Sequence, residues 1–234
     1  MRPIYYDTET TGLKAERDRI IEIAFYDPQR KKEFVSFIDP EMSIPQESTK
    51  ITGITDEMVK NAPKFKDIIP DLIAFLEEPC VLIAHNNDAF DIFFLKEEFK
   101  RAQSTLPNYK FLDTLKWAKK YRPDLPKHSL QYLREVYKIQ ENNAHRALDD
   151  VIVLEQVFSK MIDNLPIETV WNLLYLKPVE KAFTNMPFGK HKGTPISKLP
   201  KNYVEWLKQS GALDKPENTE LKKAIEEAVT VQVG

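Results

Sequence analysis

The chain has 234 residues, of which 42% are hydrophobic and 30% charged, the composition of a globular protein with room for one ordinary domain and something extra, or for one large domain. A single cysteine, Cys80, excludes an intramolecular disulfide and suits a reducing cytoplasm. No run of 18 apolar residues is present, which excludes a membrane-spanning helix. The net charge of −2 favours no partner, but Lys96 to Lys138 holds eleven basic residues against five acidic, and Lys177 to Lys208 seven against two. Such stretches suit a phosphate backbone or a solvated helix face.

The N-terminus, Met1 to Asp7, lacks the apolar core of a signal peptide and reads at once as a strand over 3–7. After the turn-prone Thr10-Thr11-Gly12, residues 20–27 and 33–38 read as two more strands, giving an antiparallel meander. A loop or helical stretch follows near Thr52, with Thr55 suited to cap a short helix from Asp56. The pattern predicts helix over 67–77, then a strand buried on both faces over 80–84. Helices are expected over 88–102 (capped by Asp88), 113–121, 129–137 and 146–163. Beyond Leu165-Pro166 come a further helix over 167–176, a hairpin-like stretch from Met186 to Gly193, and short helices near 201–209 and 217–229. The expected organisation is an α/β domain over 1–165, a helical linker over 166–179 and a small appended domain over 180–234.

Four carboxylates stand out. Asp7 and Glu9 lie two residues apart in an extended strand, so they project from one face, where a hard cation such as Mg²⁺ would relieve their repulsion. Asp91 sits among Phe90, Ile92, Phe93, Phe94 and Leu95, so it either escapes to solvent or has a strong partner. In Ala144-His145-Arg146-Ala147-Leu148-Asp149-Asp150, His145 and Asp150 can converge only if His145 lies in the loop and Asp150 in the first turns of the helix. Each signal has an ordinary reading as surface or helix capping. Together, four carboxylates and a histidine are the ingredients of two-metal phosphodiester hydrolysis.

These motifs resemble the DnaQ-like 3′–5′ exonucleases of the DEDDh branch. The resemblance runs through Tyr6 to Leu13, Ile20 to Ala24, Thr52 to Met58, His85-Asn86 to Phe90-Asp91, Leu112 to Leu115, Ser129 to Leu133 and His145 to Asp150, covering about residues 3–163. It implies an RNase H-like mixed sheet flanked by helices, with two Mg²⁺ ions, replaceable by Mn²⁺, on Asp7, Glu9, Asp91 and Asp150. His145 would be the general base. The His-x4-Asp spacing selects Asp150 over Asp149, and Asp113 reads as the cap of the helix at Thr114. Thr8, Thr11 and Leu13 would receive the 3′-terminal nucleotide, and His85 and Asn86 would contact the strand. Phe90 is expected to anchor the core.

Three residues, Asn87 to Ala89, separate the Asn from the Phe-Asp of the second motif, where many members have two; Trex-like members share the longer form. The tail from Met186 to Ile196 resembles the C-terminal domain of exodeoxyribonuclease X-like proteins, with Lys190 and Lys192 as candidate contacts to a nucleic-acid backbone. The expected substrate is a DNA 3′ end, single-stranded or frayed, with RNA ends and a non-catalytic scaffold as the alternatives. A homodimer and a replication or repair assembly are partners the resemblance suggests, and no membrane is expected.

Overall fold

A computed structural model describes residues 1–77, 79–140, 146–176, 183–215 and 218–231. The chain divides into two compact units, Met1–Tyr175 and Leu176–Gly234. No helix among the described residues is long and apolar enough to cross a membrane.

The first unit is built on a five-stranded sheet with the order β3-β2-β1-β4-β5. Strands β1 (Arg2–Thr10), β2 (Ile20–Asp27) and β3 (Lys32–Phe37) form the expected antiparallel meander. β4 (Cys80–Ala84) and β5 (Lys110–Asp113) then add parallel to β1. This is the mixed sheet of an RNase H-like fold. Alternation along β1 divides the two cores. Ile4 and Tyr6 face the side covered by helices α3 (Phe65–Leu76) and α4 (Asp91–Arg101), whereas Tyr5 faces α7 (Ala147–Ile162).

Two elements went unforeseen. Helix α1 (Gln46–Thr52) lacks a side-chain cap, and four-residue β5 is too short for its period to show. A second short helix, α2 (Asp56–Val59), starts after Thr55 as expected, without a cap bond from its side chain. The helix expected from 88 begins at Asp91, after a 3₁₀ turn over Asn87–Ala89. Asp88 does not cap it; its carboxylate takes a bond from the Lys116 ammonium at 3.2 Å and another from the Tyr175 hydroxyl at 3.3 Å. Helices α5 (Thr114–Tyr121) and α6 (Leu130–Val136) follow.

Helix α8 (Ile167–Tyr175) belongs to the first unit and is not a linker. Its Val170 is buried, Trp171 donates its ring N–H to the Phe111 carbonyl at 2.9 Å, and the Tyr175 hydroxyl accepts from the Asp113 N–H at 2.9 Å. An apolar helix face of this kind gains more by docking than by spanning open solvent. The second unit is a small core of Met186, Ile196, Leu199, Val204, Leu207, Leu213, Leu221 and Ile225, formed by a tight hairpin with helices α9 (Lys201–Gln209) and α10 (Thr219–Val231).

Candidate active site

Asp7 and Glu9 share the face of β1 that looks toward α7, opposite Ala24 and Glu22 of β2. The apolar stripe on that face ends where these carboxylates begin. Helix α7 presents Asp150 to them from its first turn. One oxygen each from Asp7, Glu9 and Asp150 lies within 4.8 Å of the others. Asp91, 2% exposed, opens helix α4 on the other side and accepts a 2.8 Å bond from the Thr8 hydroxyl. It stands outside that trio but lines the same cleft of about 300 Å³, with His85, Asn86, Phe90 and Gln131. The cleft thus gathers all four carboxylates that the sequence singles out. His145 lies outside the described residues.

The electrostatics of this cleft are unfavourable without a cation. Burial, followed by the charges of Asp91, Glu9 and Asp150, holds the Asp7 carboxyl well above the usual range. Burial, then Asp150 and Glu22, pushes Glu9 up to about 8, with Arg146 acting in the opposite sense. Asp91 is pushed to about 7, chiefly by burial, against the lowering effect of its bond from Thr8. Buried carboxylates that resist ionisation become stable anions when a divalent cation sits among them. An all-oxygen donor set of this charge fits Mg²⁺ or Mn²⁺ better than a soft metal.

Two residues that sequence reasoning left without a role hold α7 in place. Glu22 is 1% exposed; it pairs with the Arg146 guanidinium at 2.9 Å and accepts the Ala147 N–H at 3.1 Å. It therefore fastens the N-terminus of α7 to β2, where a helix favours negative charge. The available signal was a lone acid in the apolar run Ile20-Ile21-Glu22-Ile23-Ala24. Gln131 of α6 donates to Asp150 at 3.0 Å, and its own carbonyl accepts from Arg134 at 2.8 Å.

The residues expected to touch substrate divide into two groups. Leu13 is 83% exposed and shares a second cleft of about 320 Å³ with Thr8, Glu9, Thr11, Ile51 and Phe90. Phe90 packs on Phe94 with ring centroids 4.8 Å apart, so it anchors the core while also walling both clefts. Thr11 is 2% exposed, and its hydroxyl accepts the Arg19 N–H at 2.9 Å, fixing the loop that carries Leu13. Gly12 in that loop is required by space: a Cβ there would lie 2.3 Å from an Asp18 carboxylate oxygen.

His85 lines the cleft, yet both ring nitrogens are engaged within the protein. Nε2 meets the His128 carbonyl at 2.9 Å and so carries the proton, while Nδ1 accepts from the Thr114 hydroxyl at 2.9 Å. Burial lowers its pKa to about 4, keeping it neutral. Asn86 adopts a left-handed backbone (φ 71°) and donates its N–H to Asp113 at 3.1 Å. Asp113 also accepts from the N–H groups of Asp88, Leu115 and Lys116, so it shapes the loop after β4 as well as capping α5. Lys190 and Lys192 lie in the second unit, both exposed on the hairpin turn.

Known proteins resemble this chain in sequence and in fold. Residues 4–158 match the RNase T family, described as Exonuclease, and residues 177–228 match a family described as a quorum-sensing-regulated virulence factor. The chain is 40% identical over 162 residues to the DNA polymerase III epsilon subunit of Treponema pallidum, covering 67% of this chain and 74% of that one. It is 32% identical over 243 residues to the 3′-5′ exonuclease DinG of Staphylococcus saprophyticus, covering 100% of this chain but only 26% of DinG. The fold matches that of E. coli exonuclease I in complex with a dA16 oligonucleotide, with a TM-score of 0.63 at 19% identity over 74% of this chain and 42% of that one.

Proposed function

The chain belongs to the RNase T exonuclease family, and from that premise we propose that it removes nucleotides from DNA 3′ ends by metal-dependent hydrolysis, in replication or repair. The observation that carries the reading is the trio Asp7, Glu9 and Asp150, whose oxygens fall within reach of one ion and whose charges oppose one another. Asp91 on the adjoining wall supplies a fourth carboxylate, suited to a second ion. Divalent ions bound here would polarise the attacking water and offset charge on the leaving oxygen.

The protein's own groups do the rest. Thr8 fixes the rotamer of Asp91, Gln131 that of Asp150, and Glu22 the start of α7. Exposed Leu13 and Ile51 flank the second cleft, whose apolar walls suit the base of a terminal nucleotide. His145, five positions before Asp150 in the sequence, would take the proton from the attacking water. DNA is favoured as substrate by the names of the relatives, a DNA polymerase III subunit among them, and by the strand bound in the exonuclease I structure.

The test is digestion of 5′-labelled strands, namely single-stranded DNA, duplex DNA, mismatched ends and RNA, with Mg²⁺ or with EDTA. The expected result is a ladder shortening by single nucleotides from the 3′ end of DNA, abolished by EDTA. Intact 3′ ends on every substrate with Mg²⁺ and Mn²⁺ would overturn the reading; digestion of RNA alone would transfer it to RNA.

A further inference from the structure

We infer that the second unit carries a nucleic-acid site of its own, an aromatic and lysine surface centred on Trp206 that takes single-stranded DNA. Helix α9 sends Val204 and Leu207 into the small core, while Trp206, between them in sequence, stays 56% exposed. One helical turn earlier, Tyr203 lies nearly parallel to it, with ring centroids 5.7 Å apart and planes 20° apart. The His191 ring packs 4.4 Å from Tyr203 and is tilted to it by 56°. Three rings in sequence, ending in an exposed indole, make a surface on which unstacked bases can lie.

The hairpin turn sets cationic groups beside that row. Lys190 and Lys192 flank His191 in a loop closed by bonds from the Gly193 N–H to the Met186 carbonyl and from the Thr194 N–H to the His191 carbonyl. Gly189 has φ 75°, and a Cβ there would stand 2.8 Å from the Tyr203 hydroxyl. The basic turn therefore lies against the Tyr203 hydroxyl at one end of the aromatic row. From Phe183 to Lys215 the sequence has six lysines against two carboxylates, an excess that suits phosphates and disfavours an acid-poor or cationic partner. A duplex hides its base faces inside the stack, so the complementary strand is a single one.

The inference rests on the DNA-directed reading above and assigns the second unit a site of its own. Its test excludes turnover, so failure of hydrolysis and failure of binding are separate results. The full chain in EDTA is titrated with an oligothymidylate of about ten nucleotides while tryptophan fluorescence is followed. Of the three tryptophans, Trp117 is 3% exposed and Trp171 is half-buried with its N–H bonded, so Trp206 is the one a base can reach. Quenching is expected, and Trp206→Phe should abolish it while keeping the fold. Trp206→Ala should weaken binding of a labelled strand about tenfold. Replacing Lys190 and Lys192 by alanine should flatten the dependence of log affinity on log salt by about 1.4, the value for two single-strand phosphate contacts. Unchanged affinity in Trp206→Ala, or equal quenching by duplex DNA or heparin, would overturn the inference.

Discussion

Glu98 and Glu9 are both buried glutamates of the first unit, and their surroundings are opposite. Glu98, 1% exposed, receives Arg19 through two bonds at 2.7 and 3.0 Å, Arg101 at 3.2 Å and the Ile20 N–H at 3.3 Å. Glu9, 8% exposed, faces Asp7 and Asp150, and Arg146, whose guanidinium acts on it, is bonded to Glu22. The same side chain builds structure where the fold supplies cations and builds a site where the fold withholds them. Removing charge should therefore have opposite effects in the two places.

The largest expected effect is on turnover. Asp7→Asn or Asp150→Asn should reduce nuclease activity to background, yet raise the stability of the metal-free protein by about 1–3 kcal/mol through relief of repulsion. Activity assays and thermal melts in EDTA check both signs, and a lower melting temperature for these variants would break the contrast. His145→Ala should slow hydrolysis roughly 10²–10⁴-fold, with Mg²⁺ binding retained, as read by calorimetric titration. At the structural pole, Glu98→Ala should destabilise the protein by about 3–5 kcal/mol, since it removes the two-bond partner of half-buried Arg19 and leaves it Glu41 at 3.8 Å; denaturant titration measures this.

Next comes pH. Glu9 rises from 4.5 to about 8 and Asp91 from 3.8 to about 7 on folding. Their contribution to metal-free stability is fully present below the unfolded values and is lost as pH rises to about 8, because the unfolded state gives up its protons first. His85, lowered from 6.5 to about 4, does the reverse: its contribution is present above 6.5 and lost as pH falls through 4, by about 3 kcal/mol in all. Where the windows overlap the two carboxylates outweigh the one histidine, so melts in EDTA should rise as pH falls from about 8 to about 4.5, and Mg²⁺ should restore stability on the alkaline side. The smallest effect is expected for Glu22→Gln, which keeps its volume but loses the charged pairing with Arg146. Stability should drop by about 1–2 kcal/mol and kcat/KM about tenfold, through a loosened α7.

The sequence was most informative where chemistry and period coincide. Asp7 and Glu9 could be placed on one face because a strand alternates strictly, and β1, β2, β3 and β4 could be located because their apolar runs are long or bounded by turns. Four residues of β5 carry too little period to see, and α1 begins without a side-chain cap. His85 was legible as a motif residue, but its commitment to Thr114 and His128 was not, because both partners come from segments far along the chain. Thr11, expected at the substrate, lines the second cleft, and its bond from the Arg19 N–H was hidden for the same reason.

What the sequence determined by itself was the kind of chemistry: acidic residues at spacings that a cation can unite, on elements whose local pattern the residues dictate. What the tertiary structure decided was which groups support them. Glu22 reaches Ala147 across 125 positions, and Thr8 reaches Asp91 across 83. Periodicity is a property of neighbours in the chain, whereas these bonds depend on which strand edge meets which helix end, a distance set only once the sheet and its helices have packed.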